Sequence, residues 1–469
     1  MTSNRQPPLR AKEKYGYGIG AMGEGFAYNL VTSFFMVYCT DVLGVAAGFM
    51  ATLFFFARLW DAANDPIMGT ITENVRTSWG KNRPWIALGA LLNAIVIIFM
   101  FFPGLSNLKD PRFIVAVLYV LFDMTYTIID VPYYAYAAAF SDLRERDAIA
   151  TVPRILGGIA AIGIPALTLP VVERLGGGRD AIGYYRWTLI LMVMYVACAL
   201  IASFCMKNRE VVRQEKKFTL MDTLRIIRKN DQLLILVAVF VLAFASITMT
   251  TSVALYYFKY VWLNPNAYSL FALTAGAGMG IGLLSYTFLA KKLSRRRIFI
   301  FSLASPIAGY LLMYLISTLS KNVYVMLPAV ILTVGGFGFL GILSSVFMVD
   351  TVDYGEWKLG CRSENINFSM LTLIGKFAGA IAGLLTGWGL QLGGYVSTRE
   401  DIMGLAGSAA SIPAQPASVS AALNILMFAV PPFILAAALL LYLKGYKLHG
   451  KFMEQITGEL AEKRAKTTE

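Results

Sequence analysis

Histidine is almost absent from this chain: His449, near the C-terminal end, is the single one. A proton relay built on transmembrane histidines is thereby excluded. Cysteine is scarce too. Cys39, Cys198, Cys205 and Cys361 are the four, and none has the spacing of a metal site or a redox pair. They read as core residues. Charge is the third shortage: 15% of the residues are charged, where soluble domains carry roughly 25%. Catalytic signatures are missing as well. There is no GxGxxG after a strand, no Walker loop, no HExxH and no Ser/His/Asp set, so neither an enzyme nor an ATP-driven pump is expected, and no cofactor is implied. Residues 1–15 lack the apolar core of a signal peptide, and the apolar runs that recur far down the chain are not explained by one.

What fills the space is hydrophobic sequence, 57% of 469 residues. Apolar runs of about 20 residues, each long enough to cross a bilayer core about 30 Å thick, fall at 17–40, 46–70, 84–103, 112–139, 152–173, 184–206, 233–260, 267–290, 298–318, 323–349, 366–392 and 421–443. These are twelve candidate spans. The net charge of +13 raises the question of nucleic acid, but the placement of the charges answers it. With the N-terminus inside, about 30 of the 41 Lys and Arg fall in the N-terminal tail, the even-numbered loops and the C-terminal tail, and about 8 on the opposite side. Both termini are therefore expected in the cytoplasm of a cell (inner or plasma) membrane protein. The basic face suits anionic lipid headgroups, and no nucleic-acid partner is expected.

The longest cytoplasmic connection, residues 207–232, follows the sixth run. Six spans, a basic linker and six spans is the layout of a two-bundle secondary transporter. The expected architecture is an all-α integral membrane protein of twelve transmembrane helices in two six-helix bundles, 1–206 and 233–445, with a tail at 446–469. Charged clusters recur at matching positions of the halves. SDLRER contributes Asp142, Arg144, Glu145 and Arg146, and DTVDYGEWK contributes Asp350, Asp353 and Glu356. These are candidates for a cytoplasmic gate. Residues 393–420, rich in Gly, Ala, Ser and Pro, read as a flexible extracellular connector. Gly375, Gly379, Gly383 and Gly387 form a four-residue ladder expected to let another helix approach closely.

An ionised side chain at mid-bilayer costs about 2.5–3.5 kcal/mol on insertion scales and survives when it faces protein or water. The second span nevertheless contains RLWDAANDP. Arg58, Asp61 and Asp65 follow i, i+3, i+7 spacing and share one helix face, with Asn64 at its edge. One guanidinium against two carboxylates leaves a deficit of one positive charge. A monovalent cation on carboxylate, amide and hydroxyl oxygens would supply it, as would a proton on one aspartate. In the fourth span, FDMTYTIIDVPYYAY places Tyr126, Thr127, Asp130, Tyr133 and Tyr134 on one side, with Pro132 expected to kink the helix. A carboxylate beside phenol rings suits a sugar, whose hydroxyls donate to the acid and whose apolar face packs on the rings. Arg154 and Lys376 are the other expected buried cations, with Lys376 paired to a carboxylate of the other bundle. Glu24, in GAMGEGFAYNL, is a further candidate for the cavity.

RLWDAANDPIMG followed by SWGKNRPW, then YTIIDVPYY, LRERDAIATVPR and DTVDYGEWKLGCRSE…LIGK, resemble the glycoside–pentoside–hexuronide:cation symporters, a family that includes melibiose permease. The resemblance covers about residues 15–445. It implies the major facilitator fold, usually a monomer. It places a cation site on Asp61, Asn64, Asp65 and Thr127, a sugar site on Asp130, Tyr126, Tyr134 and Arg154, and the family's central lysine on Lys376. This chain departs at Glu24 and Gly25, where melibiose permease has Lys–Asp, at Tyr134 in place of a tryptophan, and at Leu371 in place of a glutamine. The sugar is left open among glycosides, pentosides and hexuronides, and the ion among Na⁺, H⁺ and Li⁺. The expected activity is sugar–cation symport by alternating access. The rivals are an antiporter or exporter of another metabolite or drug, a lysolipid carrier, and, lacking any catalytic constellation, a membrane enzyme.

Overall fold

In a computed structural model the described residues are 9–74, 77–80, 82–137, 143–207, 227–320, 322–360, 364–397 and 415–468. They are helical throughout apart from turns and one isolated bridge, Thr77 to Gly80. The first six long helices are α1 (Ala11–Asp41), α2 (Ala47–Asn74), α3 (Arg83–Met100), α4 (Arg112–Ala137), α5 (Leu143–Gly176) and α6 (Asp180–Cys205). Six more follow: α7 (Asp231–Tyr260), α8 (Asn266–Leu289), α9 (Arg295–Leu319), α10 (Val323–Leu359), α11 (Glu364–Leu392) and α12 (Ala417–Gly445). A thirteenth, α13 (Lys451–Thr468), lies in the C-terminal tail. Ten helices among the described residues are long and apolar enough to cross a membrane. α4 runs on through Pro132 to Ala137.

The chain divides into two compact units. Unit 1 comprises Met1–Gln214, Leu263–Leu273 and Leu390–Pro416; unit 2 comprises Glu215–Trp262, Thr274–Gly389 and Ala417–Glu469.

In unit 1, α1 is the central element, packed on α5 and α6. Its glycines make that possible. A Cβ on Gly16 would lie 2.2 Å from Cβ of Cys205, and one on Gly23 would lie 2.5 Å from Cβ of Cys198. Only a bare backbone fits there. Cys198 and Cys205 are thus packing residues against α1, and Cys39 is buried; Cys361 lies outside the described residues. The ring of Tyr17 stacks on Tyr133 of α4 with centroids 4.2 Å apart, and its hydroxyl donates to the Tyr133 carbonyl at 3.0 Å. Asn93 of α3 is fully buried and donates to the Phe122 carbonyl (3.2 Å) and to Thr125 (2.9 Å) of α4. In the 390–397 segment, Tyr395 donates to Asp41, and Ser397 donates to the Val45 carbonyl at 2.8 Å.

In unit 2, α8 and α10 approach through glycine: a Cβ on Gly282 would fall 2.1 Å from the Gly335 carbonyl oxygen. The close approach expected of the α11 ladder is not made at Gly375, where a Cβ would meet no atom within 4 Å. Asn230 caps α7, accepting from the Leu233 N–H at 3.1 Å, and donates to the Thr351 carbonyl of α10 at 3.0 Å. α10 ends on Gly360, whose φ of 70° closes the helix in the left-handed region.

Candidate functional site

The i, i+3 register of α2 brings the Arg58 guanidinium to Asp61, with 3.6 Å between Nη1 and Oδ2. Asp61 and Asn64 are both buried. From α4, the Thr127 hydroxyl reaches Asp61 Oδ1 at 3.4 Å, the long end of hydrogen-bond range, and donates to the Asp123 carbonyl at 3.0 Å. The structure therefore joins Asp61 of α2 and Thr127 of α4, two of the four expected cation-site residues, and buries Asn64 one turn from Asp61 on the same helix. The side chain of the fourth, Asp65, lies outside the described residues. The Asn64 amide nitrogen is buried without a hydrogen-bond partner, an unmet polar group of the kind that marks a ligand site.

One member of this cluster has no place in the sequence reading. Asp123 is 3% exposed and acts electrostatically on Arg58 together with Asp61 and the phenols of Tyr119 and Tyr28. Its signal was present. Asp123 and Thr127 are spaced i, i+4 on α4, on the side that meets α2. Arg58 thus faces the carboxylates of Asp61 and Asp123, one from each helix.

A second group lies beside the first. The Glu24 carboxyl of α1 is buried and interacts with the Asp130 carboxyl and the Tyr126 hydroxyl of α4. The Tyr126 ring lies 5.5 Å from Tyr28 and 5.8 Å from Phe122. Glu24, Asp130 and Tyr126 thus converge between α1 and α4. Arg154 does not fit the expectation of a buried cation: it stands exposed on α5. Lys376 is half-buried on α11, in unit 2. The Tyr134 side chain lies outside the described residues.

Of the gate candidates, Asp350 is buried and paired with Arg295 at 3.4 Å, and Asp353 and Glu356 are half-buried. Nearby, Asp231 is paired with Lys358 and accepts from the Tyr354 hydroxyl at 2.9 Å. Asp142 and the side chains of Arg144, Glu145 and Arg146 lie outside the described residues. Among the described residues no three His, Cys, Asp or Glu side chains are grouped to hold a metal ion.

A family model described as MFS/sugar transport protein matches residues 16–450. The chain is 28% identical to a putative glycoside/cation symporter, YagG, of Escherichia coli over 97% of its own length and 96% of that protein's. It is 27% identical to the isoprimeverose transporter of Lactiplantibacillus pentosus, over 97% of this chain and 92% of that one. A glucuronide carrier protein homolog of E. coli is 25% identical over 85% of this chain and 88% of its own. Among solved structures, a D-xylose–proton symporter superposes with a TM-score of 0.64 at 12% identity, covering 93% of this chain and 98% of that one. The nucleoside transporter NupG superposes with a TM-score of 0.61 at 13% identity, covering 92% and 99%. At such identities the superpositions speak for the fold, and they agree with the two-unit, all-helical architecture. The chain belongs to the MFS/sugar transport protein family, as a multi-pass membrane transporter.

Proposed function

We propose that this transporter couples the movement of a sugar to that of a monovalent cation by alternating access. The observation that carries the reading is the meeting of Arg58, Asp61, Asn64, Thr127 and Asp123 within spanning helices. Packing needs one ion pair; here acids outnumber the arginine, and a small cation on carboxylate, amide and hydroxyl oxygens restores the balance. Asp61, Asn64, Asp65 and Thr127 form the proposed cation site. Asp130, Tyr126, Tyr134, Arg154, Glu24 and Lys376 are proposed for the sugar. Relatives named for glycoside/cation symport, isoprimeverose transport and glucuronide carriage support a glycoside, pentoside or hexuronide. Both termini are placed in the cytoplasm by the distribution of Lys and Arg, in a cell membrane, and the unit at work is a monomer. Asp142, Arg144, Glu145, Arg146, Asp350, Asp353 and Glu356 are proposed to make and break cytoplasmic pairs as the carrier turns over.

The test is uptake into sealed vesicles of a panel including isoprimeverose and glucuronides, with Na⁺ or a pH gradient imposed. Asp61→Asn and Asp65→Asn are expected to abolish uphill uptake while sparing sugar exchange. Uphill uptake persisting in both would remove the cation site from these residues.

A further inference from the structure

A buried phenol needs an acceptor for its O–H, and a helical carbonyl has a second lone pair after serving its own helix. Tyr17 of α1 and Tyr133 of α4 meet these needs for each other. The Tyr17 hydroxyl donates to the Tyr133 carbonyl at 3.0 Å, and the Tyr133 hydroxyl donates back to the Tyr17 carbonyl. Both side chains are buried, and their rings stack with 14° between the planes. Gly20 makes the seat, because a Cβ there would lie 3.0 Å from Cε2 of Tyr133. To one side of this pair, Tyr136 donates to the buried Glu13 of α1 and accepts from the Lys207 N–H at 3.1 Å. To the other side, the rings of Tyr28 and Tyr126 lie 5.5 Å apart. Residue numbers rise along α1 as they fall along α4, so the two helices meet antiparallel along one seam. Among the described residues the backbone of α1 packs closely on α5 and α6 and not on α4. Long side chains span that seam instead.

We propose that Tyr17 and Tyr133 are positioning residues, a two-way clamp that fixes the register and spacing of α1 against α4 and so holds Glu24, Asp130 and Tyr126 in place for a sugar. Glu24 lies seven residues from Tyr17, and Tyr126 seven from Tyr133, two turns away on the same face of each helix. Glu24 and Asp130 therefore fall between the Tyr17–Tyr133 and Tyr28–Tyr126 pairs. A ring stack alone tolerates sliding. The reciprocal hydrogen bonds do not, since a slide by one residue, 1.5 Å of helix rise, carries both hydroxyls off their carbonyls together. The sequence places Tyr133 on the side of α4 with Tyr126 and Asp130, as a ring for the sugar; the structure gives its ring and hydroxyl to α1 instead. The sugar role of the positioned residues rests on the transport reading above; the clamp itself does not.

Tyr17→Phe and Tyr133→Phe test this in the full-length carrier, because phenylalanine keeps the stack and removes one hydroxyl. The first measurement is hydrogen exchange by mass spectrometry in detergent, with no sugar present. Each variant is expected to speed exchange in residues 24–28 and 126–130, away from the substituted position. Exchange unchanged there in both variants overturns the clamp. The second measurement is uptake into sealed vesicles of the same panel, isoprimeverose and glucuronides included. The half-saturating sugar concentration is expected to rise roughly two- to tenfold in each variant, the size of one hydrogen bond, with the maximal rate per carrier kept. The double variant should fall little below the worse single one, because one lost bond already frees the register. A lowered thermal midpoint or maximal rate with half-saturation unchanged makes the two tyrosines packing residues and overturns the proposal. A wild type that takes up none of these sugars counts against the transport reading alone, and the exchange data then decide the clamp.

Discussion

At Arg58 one guanidinium faces carboxylates from two helices, Asp61 on its own and Asp123 on α4. Asp123 is the residue whose removal is most informative, because it lies outside the set that family resemblance supplies. A charge-assisted contact contributes ~1.5–3 kcal/mol. Asp123→Asn is therefore expected to raise the cation concentration needed for half-maximal uptake roughly ten- to a hundredfold. Sugar exchange, which needs no net ion movement, should be largely spared; an unchanged cation dependence would make Asp123 a packing residue. A different aspartate sets a pH limit. Asp110, fully exposed ahead of α4, is held down to about 2 by hydrogen bonds from Arg112. Because its folded value lies below the ordinary carboxylate range, the contact stabilises above about pH 4 and is lost as pH falls through about 2. Thermal unfolding of wild type and Asp110→Asn should converge at the acid end and show no pH-dependent difference between pH 5 and 8.

The elements are held by the smallest residues as much as by the largest. α1 lies against α6 because Gly16 and Gly23 leave room for Cys205 and Cys198. A valine at Gly23 would meet Cys198 at its side chain and Tyr195 at its backbone oxygen, 3.2 Å away, which cannot yield by a rotamer change. Gly23→Val is expected to cost at least ~1–3 kcal/mol, the range of overpacked cores, read as a lowered thermal midpoint and poor yield in detergent. Since Glu24 is the next residue, any shift of α1 would also disturb its contact with Asp130. The α11 ladder shows the other side of this rule. Glycine spacing proposes a close approach, but a neighbour must be present to make it, and among the described residues none is within 4 Å at Gly375. Capping residues such as Asn230 do two tasks, starting α7 and tying it to α10.

For the whole molecule the consequence of an acid excess in the membrane is electrical. If the loaded carrier moves one positive charge, 100 mV is worth about 2.3 kcal/mol, which corresponds to roughly a fifty-fold sugar gradient. Vesicles with equal cation on both sides and a potassium-diffusion potential should accumulate sugar toward that limit; an electroneutral cycle would give none. Much of this molecule was legible in one dimension. The apolar runs, the bias of Lys and Arg and the 207–232 linker follow from the cost of charge and unpaired backbone in lipid, which acts on each segment by itself. RLWDAANDP was legible for the same reason, since charges in a span declare themselves. What the sequence could not decide was company. Asp123 stood in view within FDMTYTIID, yet only the seating of α4 against α2 made it a partner of Arg58. Arg154 looked buried by its place in a helix and is exposed, because burial depends on which face of α5 meets a neighbour. Glu24 was one acid among several until α1 and α4 set it against Asp130. Helix spacing fixes which side chains share a face, whereas the pairing of faces comes from packing across distant segments, and that is where the proposed cation site takes shape.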